Sequence, residues 1–188
     1  MAVNTWDGAA DTDWNTAGNW DTTGVTDRVP TADDDVVIPN VSNDPVMGDG
    51  LNPTINSLEI QTGGNFTAGA NTITIDGESG TKAMKFHGSG TFTAGTSTFI
   101  ITTAADSIFD TDPAAGGFNN LTINASSRTF TLEKNLTVGG NLTITAGTLD
   151  TTGSNFALTV TGATTIGAGG AAGAAVLTCN ASAVSLGS

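Results

Sequence analysis

The sequence predicts an all-β chain, and within that class a parallel β-solenoid (β-helix) behind a Trp/Asp-rich N-terminal cap. Three observations carry the expectation. Short apolar, Thr, apolar units recur, starting at residues 121, 130, 136, 142, 149 and 158 where they are clearest, six to nine residues apart. Longer stretches return at solenoid periods: Phe66-Thr67-Ala68-Gly69 and Phe92-Thr93-Ala94-Gly95 lie 26 residues apart, and Leu121, Leu142 and Thr164 open units 21 to 22 residues apart. All three tryptophans, Trp6, Trp14 and Trp20, come before any repeat.

The first element is the acidic opening, residues 1–50. Pro30, Pro39 and Pro45 with many Asp and Asn read as turns around one buried strand, Val36-Val37-Ile38. A solenoid's first coil exposes an apolar cross-section and unpaired strand edges, so its terminal unit must be atypical. Large aromatics cover such an end densely, and Trp6, Trp14 and Trp20 are read as that structural cap, with the surrounding aspartates as its wet face. The second element is the body, residues 51–188. In units such as Ile73-Thr74-Ile75 and Leu142-Thr143-Ile144, residues i and i+2 share a face and the middle Thr points away. Thr suits that position because its branched Cβ fits an extended backbone and its hydroxyl stays wet. Thr145-Ala146-Gly147 reads as a third copy of the Thr-Ala-Gly core. Coils of this length cannot bury an apolar row alone and must stack; about six at the inter-strand spacing make a rod about 30 Å long. The competing architecture is a jelly-roll-like β-sandwich, although its hairpins call for longer strands at wider spacing.

Composition limits the function. The 188 residues are 12% charged with a formal charge of −13, and the first fifty hold ten aspartates against Arg28 alone. Nucleic acid and anionic membranes are recognised through clustered Lys and Arg, so neither is expected as a partner. No apolar run is long enough to insert across a bilayer. Cys179 has no second cysteine to pair with and reads as a small buried thiol; the lone histidine, His87, is too thin a partner for a catalytic dyad. The opening MAVNTWDGAA lacks a secretory pattern, which favours a chain used without Sec export.

Each candidate site has a plainer alternative. Asp11, Asp13 and Asn15 alternate like calcium ligands, but Thr16 and Thr22 stand where an EF-hand needs Gly and Glu. Asp33, Asp34 and Asp35 offer further carboxylates, equally explained as a solvated turn before a strand. No metal or cofactor is assigned. The body has no Trp or Tyr to build sugar subsites beside paired carboxylates, so no enzyme is expected, and the tryptophans serve better as a plug than as a carbohydrate platform. Triplets such as Asn135-Leu136-Thr137 fall out of the repeat rather than marking glycosylation, and Gly88-Ser89-Gly90 reads as a corner rather than a phosphate loop.

The stretch TWDGAADTDWNTAGNWDTTGVTDRVPTADDDVVIP, followed by FNNLTINASSRTFTLEKNLTVGGNLTITAGTLDTTGSNFALTVTG, resembles repetitive Thr/Gly/Ala-rich β-solenoid surface proteins. It is similar both to virion proteins of marine bacteriophages, capsid decoration or fibre, and to bacterial adhesin-type modules. It departs from the latter in lacking a secretion signal, and the end GAGGAAGAAVLTCNASAVSLGS shows no cap. The resemblance implies a non-catalytic structural protein on a virion surface, or alternatively a secreted adhesin or surface-layer module at the cell surface. The implied partners are further copies of the chain, a trimer favoured, capsid or fibre proteins, and a host-surface glycan.

Overall fold

The structure, a computed structural model, describes residues 1–110, 117–151, 153–167 and 174–187. Part of the glycine- and alanine-rich end, residues 168–173 and Ser188, lies outside them. β1 (Ala2–Trp6) leads through a 3-10 turn at Ala17–Asn19 into β2 (Trp20–Thr22), which runs back antiparallel with Trp6 opposite Trp20. From there the chain winds in one sense. β3 (Asp34–Ile38) and β4 (Thr54–Ile55) belong to one coil; β5 (Ser57–Ile60), β6 (Asn65–Thr67) and β7 (Thr72–Ile75) form the next. Then come β8 (Lys82–Phe86), β9 (Thr91–Thr93) and β10 (Thr98–Ile101), followed by β11 (Ser107–Asp110) and the bent β12 (Asn120–Leu132). β13 (Leu136–Val138), β14 (Leu142–Asp150), β15 (Leu158–Ile166), β16 (Ala175–Thr178) and β17 (Val184–Gly187) complete about six turns.

All ladders between named strands except β1–β2 are parallel, so the chain is a β-solenoid and the sandwich alternative, which needs antiparallel hairpins, does not hold. Three faces result. The first stacks β1, β3, β5, β8, β11, the second half of β12, the second half of β14 and β16. The second carries β6 on β9, and β13, β15 and β17 in line. The third stacks β4, β7, β10 and the first halves of β12 and β14 under the end of β15. The parallel ladder crosses residue 50 without a break, since β1 pairs with β3 and β3 with β5.

The core is a set of columns. Ile55, Ile75, Ile101, Ile123, Ile144 and Ile166 lie in register down the third face, and all but the last are buried. Under the second face the rings of Trp14, Phe66, Phe92 and Phe118 follow one another at centroid separations of 5.2, 5.7 and 5.9 Å. Asparagines tie the corners: Asn52, Asn120 and Asn141 each accept, on Oδ1, the backbone N–H of Thr72, Asn141 and Ala163 in the adjacent coil at 2.7, 2.9 and 2.9 Å. That gives the Asn of the Asn-Leu-Thr repeat a structural use, because a corner N–H has no ladder partner. The Phe-Thr-Ala-Gly copies stack as their spacing implies, with Gly69 and Gly95 at φ of +65° and +59°; a Cβ on Gly95 would meet the Gly69 carbonyl oxygen at 2.5 Å. Thr145-Ala146-Gly147 does not join them. It lies inside β14, where Gly147 pairs with Ala175, at a different corner of the coil.

Candidate functional site

The three tryptophans expected as a cap come together in one cluster. Trp6, Trp14 and Trp20 are buried, with Trp20 edge-on to Trp6 at 5.0 Å and to Trp14 at 4.7 Å, while Trp14 lies over Phe66. Trp6 Nε1 donates to the Asn43 carbonyl at 2.6 Å and Trp20 Nε1 to the Trp14 carbonyl at 2.8 Å. Burial of all three, with two indole N–H groups spent on the chain's own backbone, leaves no ring face as a sugar platform.

The acidic candidates serve the backbone. Asp11 Oδ1 accepts from the Asn19 side-chain amide at 2.6 Å and from the Asp13 N–H at 2.8 Å, and these bonds hold its carboxyl below the usual range. Asp13 Oδ1 accepts the Asn15 N–H at 2.9 Å. Of Asp33, Asp34 and Asp35, at the start of β3, only Asp33 is exposed. Asp34 is buried, against the solvated-turn reading, and receives both arms of Arg28, with Nη2 to Oδ1 at 2.7 Å, plus the Thr31 N–H at 2.8 Å. Burial alone would raise its pKa, but Arg28 and Thr31 outweigh it and the carboxyl is held low. Asp35 Oδ1 accepts from Asn56 Nδ2 and Ser57 Oγ, both at 2.6 Å. Among the described residues no three His, Cys, Asp or Glu side chains converge on a metal position.

A cluster of the body's charged residues lies on the first face, which sequence reading missed. Register places Val37, Glu59, Lys85 and Asp110 side by side. Lys82 donates to Asp110 at 2.9 Å and to Glu133, binding three successive coils. Burial works against its charge, but the two carboxylates outweigh that and raise its pKa. His87 Nε2 meets Glu59 Oε1 at 2.8 Å, whereas Lys85 reaches the same oxygen only at 3.8 Å. Segment 79–81 arches over this face, closed by the antiparallel Ser79–Lys82 bridge, and leaves a groove of about 260 Å³ across β3, β5 and β8. The signal for it was Lys82 and Lys85, two of the four Lys and Arg in a body with few charges, twelve in residues 51–188.

The third face is the opposite in character. Thr54, Thr74, Ile100, Thr122, Thr143 and Thr165 form one outward column, and no charged residue falls in its strand segments. Cys179 is half-buried rather than buried. Gly88-Ser89-Gly90 is a corner, with the Gly90 N–H returning to the His87 carbonyl at 2.8 Å.

Fold and surface together define a parallel β-solenoid module with an aromatic N-terminal cluster, one charged face and one neutral threonine face. Residues 5–106 match the family described as a domain of unknown function (DUF8693), and the chain belongs to it; the match includes the tryptophan cluster, the groove and the coils through β10. No curated protein and no solved structure matches the chain.

Proposed function

We propose that this chain is a non-catalytic structural protein that presents a stiff surface to the outside of a particle, as a bacteriophage capsid decoration or fibre protein. The observation that carries the reading is the core: unbroken in-register columns such as Ile55 to Ile144 fill the interior, so the chain's apolar residues are spent on stacking. A close-packed interior of this kind resists deformation. What remains for function is surface, and modules of this kind act through what they display. The acidity supports an exterior place, since a charge of −13 keeps displayed copies and particles apart. The partners under this reading are other copies of the chain, a trimer favoured, together with capsid or fibre proteins and a host-surface glycan.

The test is immunogold electron microscopy with antibodies to the purified chain, applied to purified phage particles and to whole cells from the same source. Labelled particles are expected. Label confined to the cell envelope would replace the virion assignment with an adhesin or surface-layer module, and label confined to the cell interior would overturn both.

A further inference from the structure

We propose that the groove across β3, β5 and β8 is a binding site for a neutral glycan. Its volume of about 260 Å³ lies just under the range of about 300 to 1,000 Å³ usual for small-molecule sites, room for a sugar ring rather than a cofactor. It spans three adjacent strands, about 10 Å at the inter-strand spacing, and it is open to solvent on the outer side of the sheet, so a ring can enter while the rest of a polymer stays outside.

The lining has what a sugar needs, a fixed acceptor, a free donor and an apolar patch. Among the described residues Asp35 is held by Asn56 and Ser57 through Oδ1 alone, so Oδ2 keeps its acceptor capacity on a fixed carboxylate. Among the described residues Lys85, across the groove, donates no hydrogen bond and has only the long ion pair with Glu59, which leaves its ammonium protons available to a hydroxyl oxygen. Two residues along β3 from Asp35, the half-buried Val37 offers a methyl surface to the C–H side of a ring. Lys82 lines the same groove but is committed to Asp110 and Glu133, so it serves as a fixed wall.

Charge selects the class of sugar. Asp35 and Glu59 face Lys85 in a chain of net charge −13, so a polyanion is repelled at long range and meets two carboxylates on arrival. A hydroxyl is neutral and both donates and accepts, which matches a carboxylate opposite an ammonium. This inference rests on the exterior-module reading, for a buried or cytoplasmic face would not meet a glycan.

The test is a glycan array carrying neutral and uronate- or sialate-bearing saccharides, probed with the full chain, followed by calorimetry on the best ligand. Lys85→Ala removes the donor, and Thr81→Trp fills the groove from its exposed rim. Neutral saccharides should be retained, each variant should weaken binding about tenfold or more, and Thr122→Lys, on the neutral face, should leave it unchanged. All three variants should keep the parent melting temperature, because each position lies on the outer surface. Retention of acidic saccharides alone, no retention at millimolar ligand, or binding indifferent to both groove variants would overturn the site. Any of these leaves the particle labelling untouched, so the two readings fail separately.

Discussion

Arg28 is the only cation among the first fifty residues, and the structure spends it on the one aspartate there whose side chain is fully buried. A buried carboxylate loses hydration, and it stays ionised only where ion pairing and hydrogen bonds replace the water. Arg28 and the Thr31 N–H do this for Asp34, so its pKa lies below the unfolded carboxylate value of about 3.9. Because the folded pKa is the lower one, the stabilisation is fully present above the unfolded value and drains away as pH falls through the folded one. Arg28→Ala should therefore destabilise the chain at pH 7 by about 3 kcal/mol, the low end for stranding a buried charge because the Arg28 side chain is 37% exposed. Thermal melts from pH 7 down to pH 2 should show the gap between parent and variant closing in the acid range. A gap that stays constant to pH 2 would mean that Arg28 acts through packing rather than charge.

At the scale of one strand, the unit is an alternation whose sign fixes which side faces the core. In β14 Leu142 and Ile144 are buried and Thr143 is not, and Leu121, Thr122 and Ile123, paired with them in the preceding coil, repeat the pattern. Leu142→Lys should abolish cooperative folding by burying an unpaired ammonium, whereas Thr143→Lys should change stability by less than about 0.5 kcal/mol. Circular dichroism melts of the two variants decide it, and equal tolerance would refute the register. This periodicity is why the fold was readable in advance. The units at 121, 130, 136, 142, 149 and 158 fall on the third, first and second faces in rotation, twice over, because each face consumes one short strand and one corner. The groove was not readable the same way. Coil lengths vary from one turn to the next, so nothing in the linear spacing of Glu59, Lys82 and Lys85 says that they share a face until the register is known. Thr145-Ala146-Gly147 shows the converse: an identical tripeptide fell at another corner, because composition marks a turn without saying which turn it is. Asp34 was misread for a related reason, since its burial depends on an arginine six residues earlier that sequence alone places in no particular direction.

Across the whole molecule the two ends of the stack differ in chemistry. At the N-terminal end β2 folds back on β1, the tryptophans sit beneath, and the aspartates outside include Asp7, Asp11, Asp13 and Asp21, all exposed. At the other end, among the described residues, β16 pairs only with β14 and β17 only with β15, so each presents an edge. Ile166, Val176 and Leu186 there are 45, 37 and 44% exposed, and Ile166 is the sixth member of a column whose other five members are buried. Edges and apolar side chains at one end with repulsive charge at the other favour association that buries the first and keeps the second apart. Closed rings satisfy this without open-ended growth, and under the role proposed above a trimer is the expected one. Sedimentation velocity at micromolar concentration in physiological salt should give a discrete oligomer, a trimer expected, that dissociates when Val176 and Leu186 are replaced together by Lys. Both side chains are more than a third exposed, so the double variant should fold as the parent does. A parent chain that sediments as a stable monomer, with the end from Ala175 onward resistant to protease, would show that the last coil needs no cover and would remove self-association from the proposed role.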